Sequence, residues 1–178
     1  VIAGLSHPNI VGLLTVAQVG GADVRPALIL EWVAGGSLGD RLDGTPLKER
    51  DAAELIASLA GGVAYAHRAG VLHRDIKPGN VLLPGAGFDD PKLGDFGLAK
   101  LRGESGDWSV SSTILGTPRY MAPELVSEKS QAAGPRVDVY SLGAVLYELL
   151  TGRPPFRAAT PFETLLLVRS RDPALPRT

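Results

Sequence analysis

An α+β fold is predicted for this chain by three observations. Two short apolar strands come first, Ile10 to Val19 and Ala27 to Val33, with a turn at Asp23 to Pro26 between them. Mainly helical periodicity follows. No strand–helix–strand series alternates through it, as a doubly wound parallel sheet requires.

Each later element has a local reason. Gly35-Gly36 breaks the chain after the second strand. Ser37-Leu38-Gly39-Asp40 carries the S-x-x-D capping pattern and opens a short helix. Thr45-Pro46 predicts the start of a longer helix, with Thr as N-cap and Pro in the first position. Leu55, Leu59, Val63 and Ala66 share one face of it, and Gly70 closes it. Val71-Leu72 and Val81-Leu82-Leu83 are short apolar pieces around a polar stretch, and Pro91-Lys92-Leu93 precedes another. Leu101 to Leu115 is rich in Ser and Gly and is expected to be mobile. Val137 to Leu150 is a strongly apolar helix with Asp138 at its start and Gly152 past its end. Pro161 to Val168 is the last predicted helix.

Composition excludes several classes. Lys+Arg is 18 against Asp+Glu 19, a net charge of −1, so binding nucleic acid by bulk charge is excluded. There is no Cys, which removes disulfide scaffolds, thiolate metal sites and a cysteine nucleophile, and is compatible with a reducing cytosol. The first 22 residues hold no Asp, Glu, Lys or Arg, but Gly4, His7-Pro8-Asn9, Gly12 and Gly20-Gly21 interrupt them. No apolar stretch of about 18 residues survives, and no basic leader precedes one. Membrane contact within this chain is therefore not expected. Val1-Ile2-Ala3 and Asp172 to Thr178 read as cuts inside a longer domain.

The chemistry lies in three constellations. The first is His73-Arg74-Asp75-Ile76-Lys77-Pro78-Gly79-Asn80, a polar loop between an apolar helix and an apolar strand. The second is Asp95-Phe96-Gly97, after a strand. The third is Ala122-Pro123-Glu124. Together, in this order, they match H-R-D-x-x-x-x-N, D-F-G and A-P-E. Asp89-Asp90 is also a carboxylate pair, but it falls on a turn and reads as solvated surface.

With these motifs the sequence resembles a Hanks-type, eukaryotic-like Ser/Thr protein kinase of bacterial type, over its whole length. His7-Pro8-Asn9-Ile10-Val11, Gly116-Thr117-Pro118-Arg119-Tyr120-Met121 and Asp138-Val139-Tyr140-Ser141-Leu142-Gly143 agree. The resemblance implies a kinase-like fold. Residues 1–33 would be the end of the small lobe and the hinge, and residues 34–178 most of the large lobe, truncated at its C-terminal end. It implies ATP and Mg²⁺ as cofactors and a protein Ser/Thr hydroxyl as acceptor, in signalling by phosphorylation in the cytoplasm. A homodimer that phosphorylates itself is one partnership it allows.

The resemblance also assigns roles. Asp75 is the base or orienter for the substrate hydroxyl. Lys77 stands two residues on, beside the transferring phosphate, and marks the Ser/Thr class. Asn80 and Asp95 would hold Mg²⁺, a hard cation that prefers oxygen ligands. Leu30 is the gatekeeper. Glu31 and Val33 would offer backbone groups to adenine, and Leu82 would pack beneath it. His73 and Phe96 are expected in an apolar spine with Leu13 and Ile2, so His73 is not the base. Asp138 is expected to anchor the His73-Arg74 backbone. Arg74 would pair with a phosphate on the Ser/Thr-rich loop, first at Thr113, and Thr117 would help seat the substrate loop.

Two expected parts are missing. No G-x-G-x-x-G occurs among the 22 glycines, and none of the five lysines has a V-A-I-K context. Both parts grip the ATP phosphates. A partial catalytic domain, weakly active or inactive as it stands, is the leading reading. The alternatives are a non-catalytic pseudokinase or interaction fragment, and a small-molecule phosphotransferase, against which the Ala122-Pro123-Glu124 motif and Lys77 argue.

Overall fold

The computed structural model describes residues 4–20, 23–96, 118–126 and 134–176. Strand β1 (Leu13–Val19) pairs antiparallel with β2 (Arg25–Leu30), in a register that sets Leu13 against Leu30 and Val16 against Leu28, with an irregularity at Leu14. Helix α1 (Glu49–Arg68) follows, then the two-residue strands β3 (Val81–Leu82) and β4 (Lys92–Leu93), paired antiparallel. Helices α2 (Arg136–Thr151) and α3 (Pro161–Ser170) complete the described elements, with short 3₁₀ turns at Gly39–Arg41, Pro78–Asn80, Pro118–Tyr120 and Pro123–Val126. This is the α+β class read from the sequence.

The core lies between α1, α2 and the β3–β4 pair. Leu55, Leu59, Val63 and Ala66 of α1 are buried, as their spacing predicts, against Val145 and Leu149 of α2 and Leu83 and Leu93. The Ser37–Asp40 pair closes reciprocally: Asp40 Oδ2 accepts from the Ser37 N–H (3.1 Å), and Ser37 Oγ accepts from the Asp40 N–H (3.2 Å). Thr160 and Glu163 form a second capping box at the start of α3.

Three boundaries differ from the sequence reading. The run from Ile10 to Val19 is not one strand. Gly12 divides it. Val11 donates to Leu93 O (3.0 Å) and Leu93 to Asn9 O (2.9 Å), so the first part joins β4 and only the second joins β2. Arg25 and Pro26 belong to β2 rather than to the turn, whereas Glu31 to Val33 lie beyond its end. Thr45-Pro46 does not start α1. Thr45 N–H is taken by Asp43 Oδ1 (2.8 Å), and Leu47 N–H donates to Leu149 O at the end of α2 (2.7 Å). That tertiary bond keeps the segment extended, and the helix begins after an uncapped Lys48. The loop from Leu101 to Leu115 lies outside the described residues.

Gly152 ends α2 in the left-handed conformation, φ 72°, with its N–H on Glu148 O at 2.8 Å. A Cβ there would stand 2.0 Å from Gly44 O. Gly152→Ala is therefore expected to cost about 2 kcal/mol or more, from strained backbone plus a clash with a carbonyl. Thermal denaturation checks this: a fall of about 5 °C or more is expected, and an unchanged midpoint would show that the Gly44 turn yields freely.

Candidate active site

The polar loop 73–80 is held from below by one carboxylate. Asp138, on the first turn of α2, is fully buried. Its Oδ2 accepts from the His73 N–H at 2.9 Å and its Oδ1 from the Arg74 N–H at 2.7 Å. His67 Nε2, at the end of α1, meets Oδ2 at 2.7 Å. The anchoring expected of Asp138 is thus present, and α1 joins it. Arg74 adopts a positive φ of 65°. A left-handed non-glycine residue persists only where its surroundings over-determine it, and the carboxylate supplies that constraint.

His73 is the second brace. Its ring is fully buried and packs edge-on against Phe96, centroids 4.6 Å apart. Nδ1 accepts from the Asp75 N–H (3.2 Å), so the ring proton sits on Nε2 and goes to Gly94 O (2.8 Å). Both nitrogens are committed, and burial holds the pKa below its ordinary value. His73 ties Asp75 to the residue before Asp95 and has no capacity left for proton transfer. Phe96 and Leu13 line one small apolar cavity with Leu28, Leu30 and Asp95. Ile2, the fourth expected spine residue, lies outside the described residues.

This burial has a pH consequence. Below about pH 6.5 the unfolded chain takes up a proton that buried His73 resists. Its contribution to stability is fully present above pH 6.5 and is lost as pH falls below it, by at most about 1.4 kcal/mol per pH unit. Melting curves between pH 5 and pH 8 should show a shallower acid slope for His73→Phe than for the parent. Equal slopes would mean that His73 is not held neutral.

On this frame the candidate chemical groups converge. Lys77 Nζ pairs with Asp75 Oδ2 at 2.7 Å. The Asn80 amide nitrogen donates to Asp75 O (2.7 Å) and reaches Asp75 Oδ2 (3.2 Å), so its amide oxygen faces away from Asp75. Gly94 N–H donates to Asn80 O at 2.8 Å, which sets Asp95 beside Asn80. Asp95 is exposed, with a positive φ of 58°, and Phe96 next to it is buried. The donor set is the exposed Asp95 carboxylate and the Asn80 amide oxygen. No cluster of three or more His, Cys, Asp or Glu that could cage a metal occurs among the described residues. That set fits Mg²⁺, which keeps waters and phosphate oxygens as ligands.

The residues expected around adenine lie on two segments, 30–33 and the strand β3. Val33 is buried, Leu82 is half-buried and Leu30 is exposed at its edge. The Glu31 N–H is already committed to Gly12 O (2.8 Å), which leaves its carbonyl for a ligand. The Glu31 carboxylate pairs with Lys92 Nζ at 2.9 Å and accepts from Gly12 N–H at 3.1 Å. The hydrogen bond from Lys92, then that from Gly12, lowers its pKa. Arg74 Nε is buried and has no hydrogen-bond partner. Thr113, Thr117 and Gly97 lie outside the described residues. Asp89 and Asp90 are exposed.

Sequence reasoning missed His67, Lys92 and Arg41. His67 lies in the last turn of α1 and Lys92 in β4, outside the three motifs. Nothing local marks their partners, which lie 71 and 61 residues away.

Comparison with known proteins decides the family. The family model described as the protein kinase domain matches residues 1–170. The chain belongs to this family. The CBL-interacting serine/threonine-protein kinase 21 of Arabidopsis thaliana is 45% identical over 152 residues, 85% of this chain and 34% of that protein. The kinase PknJ of Mycobacterium tuberculosis is 42% identical over 160 residues, 89% of this chain and 26% of that protein. The kinase PkaA of Streptomyces coelicolor is 39% identical over 180 residues, 100% of this chain and 32% of that protein. The chain thus spans less than half the length of the curated relatives it matches. Their sources are both plant and bacterial, so the similarity does not single out a bacterial type.

Proposed function

We propose that this chain is the catalytic core of a Ser/Thr protein kinase, which transfers the γ-phosphoryl group of ATP to Ser or Thr hydroxyls of proteins. The observation that carries this reading is the grouping of Asp75, Lys77 and Asn80, linked within 3.2 Å and joined to Asp95 through Gly94. Phosphoryl transfer requires mainly positioning and charge compensation, and this group supplies both.

In the proposed reaction a substrate hydroxyl oxygen forms a bond to the γ-phosphorus. The bond from that phosphorus to the β–γ bridging oxygen breaks, and ADP leaves. Asp75 orients the hydroxyl and takes its proton. Lys77, paired with Asp75 here, compensates charge on the transferring group. Asn80 and Asp95 would hold Mg²⁺, which when bound neutralises phosphate charge. Leu30, Glu31, Val33 and Leu82 form the adenine slot. Residues 1–33 then serve as the end of the small lobe and the hinge, and residues 34–178 as large lobe. The cytoplasm, which supplies ATP, is the location this reading expects.

Regulation follows from Arg74. Its buried, unpartnered Nε lies beside Asp75 in the chain, and a phosphate on Thr113, delivered by a second copy, would offer it acceptor oxygens. Thr117 is assigned to seating the acceptor segment.

The test uses the full-length protein with radiolabelled ATP, Mg²⁺ and a Ser/Thr-containing protein. Label on Ser or Thr of the substrate or of the protein itself is expected. Label on a small alcohol only, or ATP binding with no transfer at all, would overturn the reading.

A further inference from the structure

Arg41 has no part in the chemistry just described, yet its side chain is among the most fully engaged in the structure. It ends the 3₁₀ turn Gly39–Arg41. Its guanidinium donates to four backbone carbonyls: Nη1 to Ala86 O (2.7 Å) and Gly87 O (2.6 Å), Nη2 to Gly35 O and Gly85 O. Four carbonyl dipoles converging on one point repel one another. A planar, delocalised cation with five N–H donors satisfies them together, which an ammonium cannot do.

The carbonyls come from two segments that flank the proposed nucleotide slot. Gly35 lies two residues past Val33. Residues 85–87 belong to the connection between β3 and β4. Between these points the chain forms a short ladder. Leu38 N–H donates to Val81 O (2.7 Å), Leu83 N–H donates to Gly36 O (2.9 Å), and Ser37 bridges Leu82. One end of this ladder is buried, since Leu38 and Val81 have no exposure. The other end is built from Gly35, Gly36, Gly85 and Gly87. Glycine has the largest conformational freedom of any residue, so these two glycine-rich segments depend on their contacts to keep their shape. The approach is close: a Cβ on Gly35 would stand 2.3 Å from Leu83 O and 2.7 Å from Arg41 Nη2.

We infer that Arg41 is a positioning residue for the nucleotide: it locks the glycine-built end of the ladder and so sets the spacing between Val33 and Leu82 without touching ATP. This rests on the phosphotransfer reading. Asp75, Lys77 and Asn80 lie beyond the buried end and are braced separately by Asp138, His73 and Gly94. Loosening the glycine end therefore weakens nucleotide binding and spares the chemical step.

The experiment compares full-length parent, Arg41→Ala and Arg41→Lys, by steady-state kinetics and by calorimetric titration with Mg·ATP. Expected for Arg41→Ala is a rise of about tenfold in both KM and Kd for ATP, with kcat within about twofold and an unchanged KM for the protein substrate. Arg41→Lys should fall between, since an ammonium reaches fewer of the carbonyls. Should the Ala variant not fold, the Lys variant decides, at about threefold. A lowered melting temperature with unchanged ATP affinity would overturn the inference while leaving the kinase reading intact, and so would a fall in kcat at constant KM. A parent protein that binds no ATP would end both.

Discussion

Asp75→Asn is expected to lower kcat for phosphoryl transfer by about 10²- to 10⁴-fold, while the melting temperature and the affinity for ATP stay close to those of the parent. The size follows from what a positioned proton acceptor contributes to a transfer step. The specificity follows from the local structure. The Asp75 side chain is half exposed, so its pairing with Lys77 is screened by solvent and adds little to stability. The bond from the Asn80 amide goes to the backbone oxygen of Asp75, and the Asp75 N–H goes to His73, so both survive the substitution. The loop should keep its shape and lose only its proton acceptor. Single-turnover rates of the full-length protein, with calorimetric titration of Mg·ATP alongside, would measure both halves. A kcat within tenfold of the parent would remove Asp75 from the role of base.

Asp138→Ala should do the opposite and act first on stability. Its carboxylate is fully buried and answers the N–H groups of His73 and Arg74 and the ring of His67. Removing it leaves these buried polar groups without their acceptor and releases Arg74 from a conformation that is otherwise unfavourable. A cost of about 3–5 kcal/mol is expected, a fall of about 10 °C or more in melting temperature. Asp138→Asn should be milder, because one oxygen still accepts while the amide nitrogen faces another donor. Since Asp138 acts through the loop it holds, adding Asp138→Asn to Asp75→Asn should lower kcat little further. A midpoint within about 2 °C of the parent for Asp138→Ala would show that the loop stands without its clamp.

The largest errors of the sequence reading and its best successes have one origin. Leu55, Leu59, Val63 and Ala66 were legible as a buried face because helical spacing reports burial directly. Gly152 was legible as a helix end because only glycine readily takes the left-handed turn there. The Thr45-Pro46 start was a sound local signal that lost to a bond between Leu47 and Leu149, about a hundred residues apart. The run from Ile10 to Val19 read as one strand because its apolar pattern is continuous. Leu93 and β2 compete for it, and Gly12 lets each take a part.

The sequence by itself determined the α+β class, the three motifs in their order and hence the family, and the identity of each candidate chemical group. These are properties of residue type and spacing, which the chain carries wherever it folds. Only the tertiary structure decided how those groups are held. The tautomer of His73 depends on Asp75 on one side and Gly94 on the other. The positive φ of Arg74 depends on a carboxylate 64 residues away. The convergence of the Gly35, Gly85, Ala86 and Gly87 carbonyls on Arg41, and the latch between Glu31 and Lys92, likewise exist only once distant segments meet. Hydrogen bonds and ion pairs act over about 3 Å, and partners separated by tens of residues leave no period or motif by which to be read.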